Sequence, residues 1–439
     1  MNSAEKIMKI IGRRSKAALL SLVSMACIAL SACNDLPTEL AYPFLYDTVS
    51  VQAVSSLEYP FITGQRIVQF NEGILNSGGI LVGNYNGMHS AGFIRCGDLP
   101  DSLSYITPDR IISSKFTLKT HRYALGDSLA AFPFKMYKVK KMWHVTATYD
   151  SLFTSPADYI DYSKAVASFN DVIPLTTETG DVTVDFDKEL AAEWLKYGSD
   201  TTKYINLGIA IVADQNCNQI RKFAGQYVTQ SDDDTIKYNN LQVIYLNKNN
   251  ERDTITLNSA MDFTVSKAPR PSDDEFVLQG AAQYAMELDF DLSSLPEDIA
   301  IHSAALILTL DIDKSTISNF SDSLRDPQIS CMYRVHGADS AVAGDTILPI
   351  MYGTRLDDRI TYQYNLFTYA AEYLVRYMAE RKGSLIFTKM PTVYQYLTLD
   401  RYVFHGLNDP DPALRPRLKI IYSKRPSYSK DAKNRKGDE

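Results

Sequence analysis

Apolar and polar residues alternate along most of this chain, the period of strands with one buried face. Phe116 and Leu118 alternate with Lys115, Thr117 and Lys119. Met286, Leu288, Phe290 and Leu292 alternate with Glu287, Asp289 and Asp291. Ala305 to Leu310 is apolar almost throughout, which predicts a strand covered on both faces. Phe134 to Val139 alternates again, and the polar connection before it, Ala124 to Ala131, predicts a hairpin with the strand at 111–120. Turn dipeptides at Gly78-Gly79, Gly83-Asn84 and Asn86-Gly87 break up the stretch from Val51 to Ile94. Helical spacing is found at Leu190, Ala191, Trp194 and Leu195, and at Tyr369, Ala370, Tyr373 and Leu374. Trp194 therefore reads as core.

The pattern occurs twice. Ile111 to Thr120 has a counterpart in Ile301 to Leu310, and each follows a Leu-Pro pair, Leu99-Pro100 and Leu295-Pro296. Met136-Tyr137-Lys138-Val139 returns as Met332-Tyr333-Arg334-Val335, and Leu190 to Leu195 as Tyr369 to Leu374. Leu241 to Tyr245 returns as Leu418 to Tyr422. Anchors recurring in one order mark a duplicated unit, and 439 residues suit two domains. The expectation is an all-β chain of two tandem antiparallel β-sandwiches, jelly-roll-like, with one short helix per repeat. Residues 51–247 form the first and 253–423 the second, with the polar run Asn247 to Asp253 between them. Phe116 and Leu306 should lie in equivalent strands. Thr146 to Asp181 is longer than its counterpart and reads as an insertion, a lid or lateral loop. Residues 424–439 read as a basic, flexible tail.

The N-terminus carries an address. Lys6, Lys9, Arg13, Arg14 and Lys16 precede an apolar run from Ala17 to Leu30, which is short for a bilayer span. Leu30-Ser31-Ala32-Cys33 then resembles the bacterial lipobox. That resemblance implies a signal peptide over 1–32, acylation of Cys33 and a polar tether over 33–50. Each buried CH₂ of an acyl chain contributes about 0.8 kcal/mol to membrane attachment. The expected location is the outer membrane or cell surface, with the leaflet open.

Net charge of −7 argues against nucleic acid as a partner. Once Cys27 leaves with the signal peptide and Cys33 is acylated, Cys96, Cys217 and Cys331 remain, without Cys-x-x-Cys spacing. They read as buried free thiols, with a Cys96–Cys217 bond as the alternative. Ser231-Asp232-Asp233-Asp234 lacks the ligand spacing of a calcium loop. Gly126-Asp127-Ser128-Leu129 spells a hydrolase block, but no Asp lies three positions before any of the 6 His to supply a base. No enzyme activity, cofactor or metal is expected.

The order of Leu-Pro turn, Ser303-Ala304-Ala305-Leu306-Ile307-Leu308, Gly383-Ser384-Leu385-Ile386-Phe387 and Arg415-Pro416-Arg417-Leu418-Lys419-Ile420-Ile421-Tyr422 resembles the DNRLRE-type β-sandwich module. That module is related to carbohydrate-binding jelly rolls of bacterial surface proteins. The first repeat also resembles large lipoproteins of Bacteroidetes, through Leu81-Val82-Gly83 and the strands around Gly126-Asp127-Ser128. The resemblance implies a non-catalytic module binding polysaccharide at the cell envelope; a structural, adhesion or assembly subunit is the alternative. Tyrosine, at 28 residues, suits strands and sugar-facing surfaces alike. Trp143 with Tyr149, where a strand gives way to the insertion, is the candidate binding pair, with Trp143 as a core plug at the strand end the alternative. A Trp143 ring buried on both faces would remove the pair.

Overall fold

A computed structural model describes residues 51–424, apart from 70–73, 76–78, 98–99, 101–102, 145, 176–179, 198–205, 226–238, 273–274, 283, 319–328, 335–350, 357, 359, 365–366, 378–379 and 390–396. The lipobox, the tail and Ser231 to Asp234 lie outside the described residues. Ala53–Tyr422 forms one compact unit; Met1–Gln52 with Ser423–Glu439 forms another, almost all of it outside the described residues.

The fold is all-β. In chain order the strands are β1 (Val51–Ser55), β2 (Ile62–Gln69), β3 (Ile74–Leu75), β4 (Gly79–Tyr85), β5 (Met88–Cys96), β6 (Ile111–Gly126) and β7 (Phe134–Val139). Two short helices, α1 (Tyr149–Phe153) and α2 (Pro156–Tyr159), lead into β8 (Ile160–Phe169) and β9 (Asp181–Asp185). Then come α3 (Lys188–Tyr197), β10 (Ile209–Ala213), β11 (Gln219–Ala224), β12 (Asn240–Leu246) and the long β13 (Arg252–Lys267). The second half holds β14 (Phe276–Gln279), β15 (Tyr284–Asp291), β16 (Ile299–Thr309), β17 (Ile329–Arg334), β18 (Met351–Tyr352), β19 (Thr354–Arg355) and β20 (Thr361–Tyr364). It ends with α4 (Phe367–Tyr377), β21 (Lys382–Lys389), β22 (Arg401–Phe404) and β23 (Arg417–Lys424).

Strand pairing repeats across the halves. The antiparallel pair β4–β5 corresponds to β14–β15. β11 lies on β4 as β22 lies on β14. β10 joins β5 to β7 as β21 joins β15 to β17. β6 runs between β12 and β9; β16 runs between β23 and β20. Phe116 faces Val184 on β9 and Leu306 faces Tyr364 on β20, so the two residues occupy the same place. Each of those partner strands leads into the longer helix of its half, α3 or α4.

The expected hairpin of 111–120 with 134–139 does not form. β6 pairs with β9, β11 and β12, and β7 pairs with β8 and β10. The polar connection between them is a crossover from one place in the sheet to another. β6 is long enough to serve two neighbourhoods, with Ile111 to Thr117 against β12 and Thr120 to Gly126 against β11.

Pairing also disregards the boundary expected at 247–253. β2, at the head of the first repeat, pairs with β15 from Ile62↔Phe290 to Gln69↔Tyr284. β13, at the head of the second, pairs with β12 through Arg252 to Asn258 and with β5 through Ser259 to Lys267. The chain just after β1 follows β2, with Ser56 N–H donating to the Leu418 carbonyl at 2.9 Å. The repeats thus exchange their leading strands. The Arg66 guanidinium fastens one of these, at 2.6 Å from Glu287 and 2.9 Å from Asp289.

Each half has its own core. Phe116, Leu118, Trp194, Ile209 and Leu241 lie in one; Leu288, Leu306, Tyr364, Ala370 and Leu418 lie in the other. Trp194 is buried against Phe186, as its helical position predicts. A third cluster joins Leu81, Leu125 and Ile220 to Ala281, Leu397 and Leu399. Above it Tyr123 donates to buried Asp400 at 3.2 Å and accepts from the Leu399 amide at 3.0 Å. Asp400 also accepts from the Ser318 amide, so its carboxylate is not stranded.

Candidate binding cleft

The Asn86-Gly87 turn starts the site. Both residues have positive φ, 46° and 75°, the combination of a tight two-residue hairpin loop between β4 and β5. A side chain at residue 87 would come within 3.0 Å of Pro269, so glycine also admits the loop after β13. Register then sets Lys267, the last residue of β13, opposite His89 on β5, with Asn84 across from His89 on the other side.

α1 lies over this corner. Thr148 caps it through a reciprocal pair of bonds with Ser151, which fixes where Tyr149 and Asp150 emerge. The Tyr149 ring stacks on Phe153 at 4.5 Å and lies 5.9 Å from the His89 ring. Asp150 and Lys267 form an ion pair at 2.7 Å. The opposite wall comes from the exchanged strand and its host: Gln69 ends β2 and faces Tyr284 at the start of β15. Together with Ala268, Pro269 and Arg270 these residues line an open cleft of about 510 Å³.

Its chemistry is polar with one aromatic wall. Burial, helped by the Lys267 charge, pushes the His89 pKa down, so the ring is neutral at pH 7. Asn84 Nδ2 donates to the Asp214 carbonyl at 3.0 Å, which turns Asn84 Oδ1 toward His89 Nδ1 at 2.8 Å. Nδ1 therefore carries the proton, and Nε2 keeps its lone pair. Burial and the Asp150 charge push the Tyr149 phenol up to about 12, so it is a hydroxyl donor and not an anion. Tyr284 is buried and donates to the Ala268 carbonyl at 3.4 Å. Arg270 is exposed and makes no ion pair with a described residue.

The expected pair is split. Tyr149 lines the cleft, half-buried, but Trp143 does not belong to the site: it is 5% exposed. The β5–β13 register sets Phe93 against Phe263, and the indole packs on both rings, at 5.2 Å from Phe93 and stacked at 5.8 Å on Phe263. Aromatic surface covered from several sides belongs to a core. The insertion is partly regular, since β8 extends the sheet beyond β7. His89, Lys267, Arg270, Gln69 and Tyr284 were not expected. The signals available were the Asn-Gly turn two residues before His89 and the Pro-Arg-Pro run.

Elsewhere, Ser128 sits in a turn where Asp127 Oδ1 accepts from the Leu129 amide. Cys96 and Cys217 are both buried free thiols, and burial pushes Cys96 up to about 12. The side chain of Cys331 lies outside the described residues. Among the described residues no cluster of His, Cys, Asp and Glu could hold a metal ion, and no helix is long and apolar enough to cross a membrane. No family model and no curated protein matches the chain.

Proposed function

We propose that this protein is an exported lipoprotein, anchored through Cys33, whose paired β-sandwiches bind glycan without catalysis at the cell envelope. The observation that carries the reading is the cleft. Tyr149 offers a half-exposed ring beside a neutral histidine acceptor, an amide and charged groups at Asp150, Lys267 and Arg270. A sugar presents a C–H face that stacks on such a ring and hydroxyls that suit such neighbours. The volume of about 510 Å³ falls within the usual range for small-ligand sites. The resemblance to DNRLRE-type modules and the lipobox-like Leu30-Ser31-Ala32-Cys33 support the same reading.

A glycan array probed with the ectodomain tests it. Retention of at least one glycan class, reduced about tenfold or more by Tyr149→Ala with folding intact, is the expected result. Retention unchanged in Tyr149→Ala would move the site elsewhere. For the anchor, metabolic labelling with an alkyne fatty acid should tag the wild type and not Cys33→Ala; equal labelling removes it. A second reading, a structural or assembly subunit, is favoured by one feature: the exchanged strands and shared apolar cluster tie the halves into a single unit. An array on which no glycan is retained would select it.

A further inference from the structure

The charges of the cleft do not balance. Asp150 is engaged by Lys267 at 2.7 Å. His89 is neutral, because burial and Lys267 disfavour its cation. Arg270 is left over, a guanidinium on the cleft wall without an ionic partner among the described residues.

Its backbone holds it in place. Pro269 and Pro271 flank it, so φ is fixed on both sides and Arg270 itself is restricted to extended conformations. Ala268 is buried just before, and Pro269 lies against the turn at Gly87. A flexible loop would lose conformational freedom on gripping a ligand; this one has little to lose.

Resting on the glycan reading above, we infer that the cleft takes a sugar bearing a carboxylate, held by Arg270 while its ring lies on Tyr149. A guanidinium presents a planar fork that matches a carboxylate through two parallel hydrogen bonds. Lys267, its charge already met by Asp150, adds ammonium N–H donors from the same segment but no surplus charge. His89 Nε2 accepts from a sugar hydroxyl, and the exposed Gln69 amide donates or accepts as the ring requires. The pocket so described discriminates by charge: the same sugar with its carboxylate esterified keeps its stacking face and loses the fork.

Oligogalacturonate and its methyl ester make that comparison directly, alongside an array of neutral, carboxylated and sulfated glycans. The full mature chain should bind the free acid about tenfold or more tighter than the ester, with the preference shrinking as salt is raised. Arg270→Ala should bring the acid down to the level of the ester, and Arg270→Lys should restore only part of the difference. The side chain is exposed, so an unchanged melting temperature verifies the fold in each variant. Equal binding of acid and ester, or a preference untouched by Arg270→Ala, overturns the inference. So does a preference for sulfated over carboxylated glycans. If neutral glycans alone are retained and Tyr149→Ala releases them, the acidic assignment fails and the glycan reading stands. Retention of nothing on the array overturns both.

Discussion

The two halves share a pairing plan and differ in what surrounds it. The organising strand of the first, β6, alternates buried positions with more open ones, Lys115, Thr117 and Lys119 alternating with Phe116 and Leu118. Its twin β16 is buried at Ala304, Leu306, Ile307 and Leu308 in near succession; α4 packs on the face of Ala304, Leu306 and Leu308, and the Ala304 amide donates to Thr368 on that helix at 2.8 Å. Between β7 and β8 the first half carries α1 and α2, which bring Tyr149 and Asp150 to the cleft; the corresponding segment of the second half, 335–350, lies outside the described residues. The hydrogen-bond plan repeats, and the cleft lies where α1 of one half meets the β4–β5 turn, the end of β13 and the β2–β15 pair.

If Phe116 and Leu306 hold equivalent places, truncating either should cost alike. Phe116→Ala and Leu306→Ala are each expected to lose about 3–5 kcal/mol in denaturant unfolding. A loss below about 1 kcal/mol at either would break the equivalence.

Acid should separate the halves. By the same alignment His121 on β6 corresponds to Asp311 just past β16. Burial, with the Lys222 charge, lowers His121 to about 3. The unfolded ring protonates near 6.5 and the folded one resists, so stability is full above 6.5 and declines as pH falls toward 3. The slope approaches about 1.4 kcal/mol per pH unit. Burial pushes Asp311 up, but hydrogen bonds and the charge of Lys314 outweigh it, and its net shift is downward. Its contribution is present above its ordinary value near 3.8 and is lost only as pH falls below it. Thermal unfolding followed from pH 7 to 4 should therefore flatten in His121→Gln and not in Asp311→Asn.

The strand exchange predicts a smaller, local effect. Arg66 is 47% exposed while its partner Glu287 is 0% exposed, so Arg66→Ala takes from a buried carboxylate a cation that was half in water. A cost of about 1–2 kcal/mol follows after screening is allowed for. Hydrogen exchange should quicken along β15 and β2, with β5 and β13 unaffected. Equal acceleration in both sheets would show that β2 is not a local clasp.

Strands and helices were legible because alternation and helical spacing are local properties. Met286 to Leu292 and Leu190 to Leu195 are where the pattern predicts them. Partners were less legible. The connection at Ala124 to Ala131 has a hairpin's composition, and nothing near it shows that β11 occupies the place beside β6. No residue in 62–69 reveals that its neighbour is β15. The sequence around Trp143 fits a binding residue and a core plug at a strand end alike, and the pairing of Phe93 with Phe263, which decides for the core, is not local to it. The cleft draws on β2, the β4–β5 turn, α1, β13 and β15, and proximity of that kind leaves no periodic trace.

The exchange of leading strands also sets a timetable for the growing chain. Arg66 and Glu287 are 221 residues apart. The first sandwich has all its strands once Lys267 has been made. β2, made before any of them, has no place to dock until β15 follows, and such distant pairings form late because their loop must close first. A strand made early is thus among the last to be seated, and until then its open edge needs shelter from neighbouring chains.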